Sequence, residues 1–189
     1  MTQAPSTPAE TLGSAPGARA WTAVNVVTRS AEPSALPERP AGYGDRVTGT
    51  DATVEHILTS YDTITVVGAS NAAFKAAHSV PAYMQRHGWR IIPVNLHADQ
   101  ILGEAVYRTL ADVPEQVGLV DVFRPSGQTP DIARQAVAAG ATALWLQLGI
   151  ASAEARAIAE DAGLLYVENR CLIIEQRRLK LEAPGEPGG

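Results

Sequence analysis

The sequence predicts an α/β domain built on a doubly wound, parallel, five-stranded sheet, and two patterns lead to that prediction. Five short segments are apolar along their whole length, which is typical of strands that are covered on both faces. The stretches between them place apolar residues at helical spacing. Strands that alternate with helices, joined by right-handed crossovers, form a Rossmann-type sheet whose ligand crevice lies at the carboxyl ends of the strands.

Helix caps, β-branched runs and glycine stops set the order of the elements. Asp51 is placed to cap a first helix whose apolar face ends at Tyr61. Thr129 is placed to cap a later helix with Pro130 in its first turn, and Ser152 is placed to cap the helix that follows. The predicted strands are 63–67, 89–94, 118–123, 141–148 and 164–167. The predicted helices cover 51–61, 80–88, 129–140, 152–163 and 172–180, and the segment 95–114 is irregular apart from one helical turn near Leu110.

The 189 residues divide into one domain with a segment on either side. Residues 1–50 are rich in Pro, Ala, Ser, Thr and Gly, and they predict a largely irregular tail, disordered or loosely docked, because they bury too little surface to offset their ordering entropy. Their apolar patch, WTAVNVV at 21–27, is expected to dock on the domain or on a partner. The domain is expected to span 51–181, and 182–189 form a flexible C-terminal end.

Charge and cysteine content exclude several classes of function. The net charge of −5 gives no overall attraction to nucleic acid or to an anionic membrane, so local groups have to hold an anionic ligand. Cys171 is the single cysteine and cannot form an internal disulfide, and no cluster of Cys and His has metal-ligand spacing. No secretory signal or membrane-spanning stretch is recognisable, and the expected location is the cytoplasm.

Small and polar residues collect where the predicted strands end. In chain order these turns are Gly68-Ala69-Ser70, Asn95-Leu96-His97, Arg124-Pro125-Ser126, Gly149-Ile150 and Asn169-Arg170-Cys171. Because the carboxyl ends of parallel strands meet at one edge of a sheet, a binding site is expected there. That rule is general and does not name the ligand.

Three departures argue against a nicotinamide or flavin dinucleotide as that ligand. Of the glycines in the G-x-G-x-x-G turn only Gly68 is present, with Ser70 and Ala73 in the other two places. Pro81 is tolerated in the first turn of a helix, which predicts a helix start near His78 or Ser79 and a connecting loop of about ten residues. Asn95 stands where an acid that binds ribose hydroxyls is expected.

The same loop nevertheless carries groups that suit a phosphate. Ser70 has a hydroxyl, Lys75 has a cation, and His78 and Ser79 lie where backbone amides are expected to open the helix. Across the crevice Arg124 has a planar guanidinium that fits phosphate oxygens, unless Asp121 or Asp131 pairs with it. A highly anionic adenine nucleotide with an extended arm would suit a longer loop of this kind.

An ordered set of short strings in the chain resembles one protein family. The strings are VVGAS, HGWRIIPVN, ILGEAVY, LADVP, DVFRPS, WLQLGI and NRC, and they run in order from about Thr63 to Leu179. Together they resemble the small CoA-binding domain proteins, which are similar to the nucleotide-binding half of the succinyl-CoA synthetase alpha subunit.

The resemblance implies that coenzyme A binds at the strand ends. It implies that Gly68, Ala69, Ser70 and Lys75 surround the diphosphate, that Pro93 and Asn95 lie beside the adenosine, that Phe123 and Arg124 flank the ligand, and that Leu148 and Gly149 line the path of the pantetheine arm. Members of the family often carry Ser-Tyr where this chain has Ala77-His78. Either His78 or Ser79 is therefore expected to replace the missing hydroxyl contact.

These observations predict a protein that binds coenzyme A or an acyl-CoA and has no evident catalytic residues. No His has an acid and a nucleophile at recognisable spacing. Cys171 is expected to fill space, although Arg170 beside it hints at a setting in which a thiol reacts. The alternatives are an atypical NAD(P)-binding oxidoreductase and a non-catalytic interaction subunit with a vestigial crevice. Beyond the small molecule, the expected partner is a second copy of the chain, because a sheet of this kind has exposed edge strands, or an unidentified protein.

Overall fold

A computed structural model of the chain describes residues 51–185. The predicted tail at 1–50, with its apolar patch at 21–27, and residues 186–189 lie outside the described residues. The strands are β1 Thr63–Val67, β2 Arg90–Val94, β3 Gln100–Ile101, β4 Glu104–Ala105, β5 Leu119–Val122, β6 Ala143–Leu146 and β7 Leu165–Val167. The helices are α1 Asp51–Ser60, α2 Ala76–Arg86, α3 Thr129–Ala138, α4 Ala153–Asp161 and α5 Leu172–Leu179.

Five strands form one parallel sheet in the order β2-β1-β5-β6-β7, which confirms the predicted fold class. Ile64 of β1 pairs with Ile91 on one side and with Leu119 on the other, so the register brings the carboxyl ends together. From β1 the chain moves outward to β2, returns to β5 and then continues in the opposite direction. The order therefore reverses between β1 and β5, and in such sheets the crevice for a ligand lies outside the carboxyl ends at the reversal.

Two hydrophobic cores cover the two faces of this sheet. Val120 and Val122 of β5 point to the face on which Ile132 of α3 packs. The other face packs against α1, α2 and α5, and it includes the fully buried Trp145 and Met84. Because both faces are covered, the central strands are apolar at nearly every position, as the sequence pattern predicts.

Helix α2 begins at Ala76, and the predicted start near His78 or Ser79 is wrong. Pro81 lies inside the helix and has no amide N–H, so it cannot donate the usual helical hydrogen bond to the carbonyl of Ala77. The backbone amide of Ser70 donates to that carbonyl at 3.0 Å. This bond satisfies the carbonyl that the proline leaves free. Because α2 begins at Ala76, the loop after β1 covers 68–75 and is shorter than predicted.

The predicted cap of α3 is also wrong. Thr129 is buried as the first residue of the helix, and its hydroxyl donates to the carbonyl of Ser126 at 2.7 Å. A 3-10 turn at Ser126–Gln128 leads into the helix. Ser152 does cap α4, as predicted, since its side chain accepts a hydrogen bond from the amide of Ala155.

The segment 95–114 contains the predicted helical turn, which is a 3-10 helix at Leu110–Asp112. It also contains an antiparallel hairpin of β3 and β4 that the sequence did not predict. Leu102 and Gly103 form its turn with φ of 55° and 84°. Strands of two residues are too short to show a periodic pattern, so the hairpin is visible only in three dimensions.

The described part of the C-terminal segment lies against the end of α2. The amide of Ala183 donates to the carbonyl of His87 at 3.0 Å, and the carboxylate of Glu182 lies 2.9 Å from Nδ1 of His87. Between residues 51 and 185 no helix is long and apolar enough to cross a membrane.

Candidate functional site

A cleft of about 420 Å³ opens at the carboxyl ends of β2, β1 and β5, where the strand order reverses. Its floor is apolar and consists of Val67, Val94, Leu110 and Ile132. Its other walls are Gly68, Asn95, Leu96, His97, Arg108, Thr109, Arg124, Gln128, Asp131 and Gln135. An apolar floor with a polar rim is the usual composition of a small-molecule site.

A second cavity, of about 490 Å³, lies beside α3 and the 3-10 turn at Leu110–Asp112. Its charged wall residue is Glu115, which forms an ion pair with Arg90. This cavity offers no cation to an anionic ligand. The cleft at the strand ends is therefore the better candidate site.

The sequence predicts twelve binding residues, and three of them line the cleft: Gly68, Asn95 and Arg124. The remaining nine candidates do not line it. These are Ala69, Ser70, Lys75, His78, Ser79, Pro93, Phe123, Leu148 and Gly149. They lie in the loop after β1, in the first turn of α2, in β2, or in the turns after β5 and β6.

Gly68 is required by the close approach of Arg124. Its φ is +88°, and a Cβ at this position would lie 2.8 Å from Cδ of Arg124 and 2.9 Å from the carbonyl oxygen of Phe123. The aliphatic part of the arginine therefore rests on the backbone after β1. This contact places the guanidinium beside the reversal of strand order.

The guanidinium of Arg124 keeps most of its hydrogen-bonding capacity. Nε donates to Oε1 of Gln128 at 2.9 Å. Within residues 51–185 Arg124 forms no ion pair, neither with Asp121 nor with Asp131. Since a guanidinium carries five N–H donors in a planar fork, the remaining donors are available to a carboxylate or phosphate in the cleft.

Ser70 and His78 hold the loop 68–75 in shape. Nδ1 of His78 donates to the carbonyl of Ser70 at 2.8 Å, and the hydroxyl of Ser70 accepts from the amide of Ala72 at 3.2 Å. The amides of His78 and Ser79, predicted to be open to a ligand, both donate to the carbonyl of Lys75, at 2.9 and 3.0 Å. That expectation for the two amides is wrong, because the helix starts earlier.

The start of α2 leaves the amides of Ala76 and Ala77 without a partner among the described residues. Lys75 precedes them at the N-cap position, and its side chain is exposed and forms no ion pair with any residue between 51 and 185. A helix N-terminus with a lysine beside it has a positive potential that favours phosphate oxygens.

The side chain of Asn95 joins the loops after β1 and β2. Nδ2 donates to the carbonyl of Ala69 at 2.8 Å, and Oδ1 accepts from the amides of His97 at 2.7 Å and Ala98 at 3.0 Å. Three of the four hydrogen-bonding positions of this amide are used within the protein, and one N–H of Nδ2 has no partner among the described residues. Asn95 therefore shapes the cleft wall and keeps one donor for a ligand.

Arg108 is a cleft residue that the sequence analysis missed. Its guanidinium donates to the carbonyl of Asn95 at 3.2 Å and also contacts the carbonyl of Ala98 and the carboxylate of Asp99. An isolated parallel bridge between Val94 and Tyr107 places Arg108 beside the end of β2. No local sequence pattern predicts this pairing, so only the tertiary structure shows that Arg108 lines the cleft.

Gly149 lies in an exposed turn after β6 that is bonded to the turn after β7. Its φ is +82°, and its amide donates to Oδ1 of Asn169 at 2.7 Å. Leu148 beside it is exposed, whereas Phe123 is half-buried and packs on the core that α1, α2 and α5 cover. The turn is thus fixed in position while its apolar side chain faces solvent.

Asp121 is a buried carboxyl group at the end of β5. Oδ1 accepts a hydrogen bond from Nε2 of Gln147 at 2.9 Å, while Oδ2 has no partner among the described residues. Because burial disfavours the charged form, the pKa of Asp121 rises to about 8. The protonated form of Asp121 is therefore favoured in the folded protein near pH 7, and its Oδ1 holds Gln147, the residue directly before Leu148.

The fold and this cleft define a Rossmann-like α/β domain with a candidate ligand site at the reversal of strand order. Residues 62–177 match the profile of the CoA binding domain family, and the chain belongs to that family. The match confirms the resemblance seen in the sequence and covers nearly the same residues.

The chain is similar to three proteins that differ in how well they are characterised. It is 31% identical over 121 residues to the uncharacterized protein YneT of Bacillus subtilis strain 168, which covers 64% of this chain and 90% of YneT. It is 33% identical, with a TM-score of 0.67, to a hypothetical protein from Pyrococcus horikoshii OT3, which covers 72% of this chain and 99% of the other. A dinucleotide-forming acetyl-coenzyme A synthetase of Ca. Korarchaeum cryptofilum shares the fold, with 22% identity, a TM-score of 0.51, and coverage of 59% of this chain and 26% of the synthetase.

Proposed function

We propose that this protein binds coenzyme A or an acyl-CoA in the cytoplasm, with the nucleotide part in the cleft at the carboxyl ends of β2, β1 and β5. The observation that carries the proposal is the guanidinium of Arg124, which lies in the wall of this cleft without an ion-pair partner among residues 51–185. Membership of the CoA binding domain family supports the same ligand.

The donor set of the site suits this ligand. Lys75 and the amides of Ala76 and Ala77 offer positive potential on one side of the reversal, and Arg124 offers a guanidinium on the other. An adenosine would lie on the apolar floor between Val94 and Ile132. A cleft of about 420 Å³ takes the nucleotide part and leaves the pantetheine arm to run along the open edge toward Leu148 and Gly149.

The role that we propose is binding, and the contacts of His78 and His87, two of the four histidines, support it. Nδ1 of His78 is used to hold Ser70, and Nδ1 of His87 lies against Glu182 away from the cleft. Neither ring is arranged to activate a nucleophile, which would need a hydroxyl or thiol within hydrogen-bond reach of the free nitrogen. A protein of this kind would sense, buffer or present its ligand.

Thermal and chemical unfolding with coenzyme A, dephospho-coenzyme A, NAD and ATP tests the proposal. A ligand that binds only the folded state, at one hundred times its Kd, adds about 2.7 kcal/mol to the free energy of unfolding. We expect this gain with coenzyme A and a smaller one with the other three compounds. No stabilisation by any coenzyme A species at millimolar concentration would overturn the proposal, and preferential binding of NAD would favour an oxidoreductase.

A further inference from the structure

The turn after β6, residues 147–152, is held in place by the turns on either side of it. Three of its backbone amides donate to side chains that follow β5 or β7, namely Gly149 to Oδ1 of Asn169 at 2.7 Å, Ala151 to Oγ of Ser126 at 3.2 Å and Ser152 to Oε2 of Glu168 at 3.0 Å. The amides of Gln147 and Ile150 donate to the carbonyls of Val122 and Gln147, at 3.4 and 2.9 Å. The sixth amide, that of Leu148, has no hydrogen-bond partner among the described residues.

Residues 147–150 form a type II turn in which Leu148 is the second residue. The hydrogen bond that closes the turn joins Ile150 to Gln147, and φ of the third residue, Gly149, is +82°. Leu148 is not among the described residues with a positive φ, and this combination of signs defines the type. Because the closing bond uses the first and fourth residues, the amide of the second residue takes no part in it. Leu148 is 62% exposed, so it forms the accessible tip of the turn.

Asn169 keeps the turn rigid at a cost to its own backbone. Its φ of 54° lies in the left-handed region, which residues other than glycine adopt less readily. In this conformation its amide donates to the carbonyl of Ile150 at 3.0 Å while its side chain receives the bond from Gly149. Below the turn, the buried side chain of Gln147 donates to Asp121 at 2.9 Å. Backbone strain of this kind is common at ligand clamps, and here it holds the tip of the turn in one position.

The register of the sheet places this tip beside Arg124. Val122 of β5 pairs with Leu146 of β6. Arg124 and Leu148 are each the second residue after this pair, and neighbouring strands are about 4.8 Å apart, so the two residues leave the sheet next to each other. The hydrogen bond to Oγ of Ser126 keeps the two turns together beyond the strand ends. A ligand group that extends from the guanidinium of Arg124 toward β6 therefore meets the amide of Leu148.

We propose that the backbone amide of Leu148 donates a hydrogen bond to a carbonyl oxygen of the pantetheine arm. This inference rests on the proposed function. The arm begins at the diphosphate, for which Arg124 provides a guanidinium, and its polar groups include amide carbonyls that accept hydrogen bonds. An uncharged N–H suits such a carbonyl, whereas the phosphates are held by cations. Because the turn is fixed before the ligand arrives, little ordering entropy is lost when this bond forms.

Leu148→Pro tests the inference because it removes this N–H and keeps the turn. Proline is common at the second position of a type II turn, and Leu148→Ala is the matched control, since it removes the side chain and keeps the N–H. The full-length protein is titrated calorimetrically with coenzyme A and with adenosine 3′-phosphate 5′-diphosphate, which lacks the arm. We expect Leu148→Pro to weaken coenzyme A about three- to tenfold and to leave the affinity for the nucleotide unchanged. Leu148→Ala should change neither affinity by more than about twofold.

Asn169→Gly tests the same amide through the residue that positions the turn. Glycine adopts the left-handed backbone freely, so this variant removes the bond to the Gly149 amide without new strain. It should weaken coenzyme A and leave the affinity for the nucleotide unchanged, which a general loss of stability would not do. If Leu148→Pro lowers the Tm, this variant decides, and unchanged affinity of Asn169→Gly for coenzyme A then overturns the inference.

The outcomes separate this inference from the proposed function. If coenzyme A binds to Leu148→Pro as tightly as to the wild type, or if Leu148→Ala weakens it equally, the amide is not the donor and the proposed function stands. If Leu148→Pro weakens the nucleotide as much as coenzyme A, the change acts on the whole cleft and the inference is wrong. If the wild type binds no coenzyme A species, the proposed function fails and this inference fails with it.

Discussion

The loop after β1 and the turn after β5 face each other where the strand order reverses, but they use their polar groups differently. In the loop 68–75, Ser70 donates to Ala77, accepts from Ala72 and receives a bond from His78. In the turn after β5, Arg124 forms a single side-chain bond, to Gln128. The comparison shows that polar residues at one edge of a sheet divide into those that shape the edge and those that remain open to a ligand.

The largest expected effect is the pH dependence of stability that comes from Asp121, the buried carboxyl group bonded to Gln147 before the turn after β6. The pKa of Asp121 is about 8 in the folded protein and near 3.8 in the unfolded chain. Between pH 3.8 and pH 8 the carboxyl group is therefore protonated in the folded state and ionised in the unfolded state. Stability therefore falls as the pH rises, by up to about 4 kcal/mol between pH 5 and 8. Asp121→Asn should flatten this dependence in urea unfolding, because asparagine cannot titrate.

Asp131→Asn is the matched control for this measurement. Asp131 is exposed on α3 and forms an ion pair with Arg134, so its replacement should leave the slope of the wild type in place. A wild-type protein that is equally stable at pH 5 and pH 8 would contradict the buried neutral carboxyl.

Asn95→Ala tests the class of residues that shape the edge. It removes three hydrogen bonds to the backbone of Ala69, His97 and Ala98, and each is worth about 1 kcal/mol, so we expect a loss of about 2–3 kcal/mol in urea unfolding. Asn71→Ala is the control, since Asn71 is exposed and makes one such bond, to Gln100. If the two variants lose the same free energy of unfolding, Asn95 does not belong to a class of residues that shape the edge.

Arg124→Ala tests the class that is open to a ligand. Hydrogen bonds to charged groups contribute about 1.5–3 kcal/mol each, so the affinity for coenzyme A should fall about 10- to 100-fold. The free energy of unfolding without ligand should change much less, because the variant loses one side-chain hydrogen bond, to Gln128, and the packing of the aliphatic part on Gly68. Arg124→Lys keeps the charge but not the fork, and it should recover only part of the affinity. Unchanged affinity in titration calorimetry would exclude Arg124 from the site.

Lys75→Ala should have the smallest effect of the four. The lysine is exposed and its charge is screened by salt, so we expect a loss of affinity of about two- to fivefold at low salt and almost none at 1 M salt. Arg86→Ala changes the net charge equally at the other end of α2 and should have no effect at either salt concentration. A loss that persists at high salt would mean that Lys75 contacts the ligand in a sheltered position.

Local patterns were sufficient for most of the fold and for part of the site. The run TITVV is a strand with the bounds that its β-branched residues predict, and Ser152 caps its helix. Gly68 and Arg124 were found because small and polar residues follow buried strands, and the structure places both in the cleft wall. The start of α2 was predicted wrongly, because the partner that makes Pro81 tolerable, the amide of Ser70, comes from outside the helix.

The sequence by itself determined the class of fold, the edge at which a ligand is expected and the family, because each buried strand and the turn after it consist of contiguous residues. Only the tertiary structure decided which polar groups are used up and which are open. Asn95 and His78 are joined to residues of other loops, Arg108 reaches the cleft through the pairing of Val94 with Tyr107, and Asp121 is neutral because of burial. Each of these properties depends on atoms that are brought together across the sheet edge, and no periodicity along the chain reports such contacts.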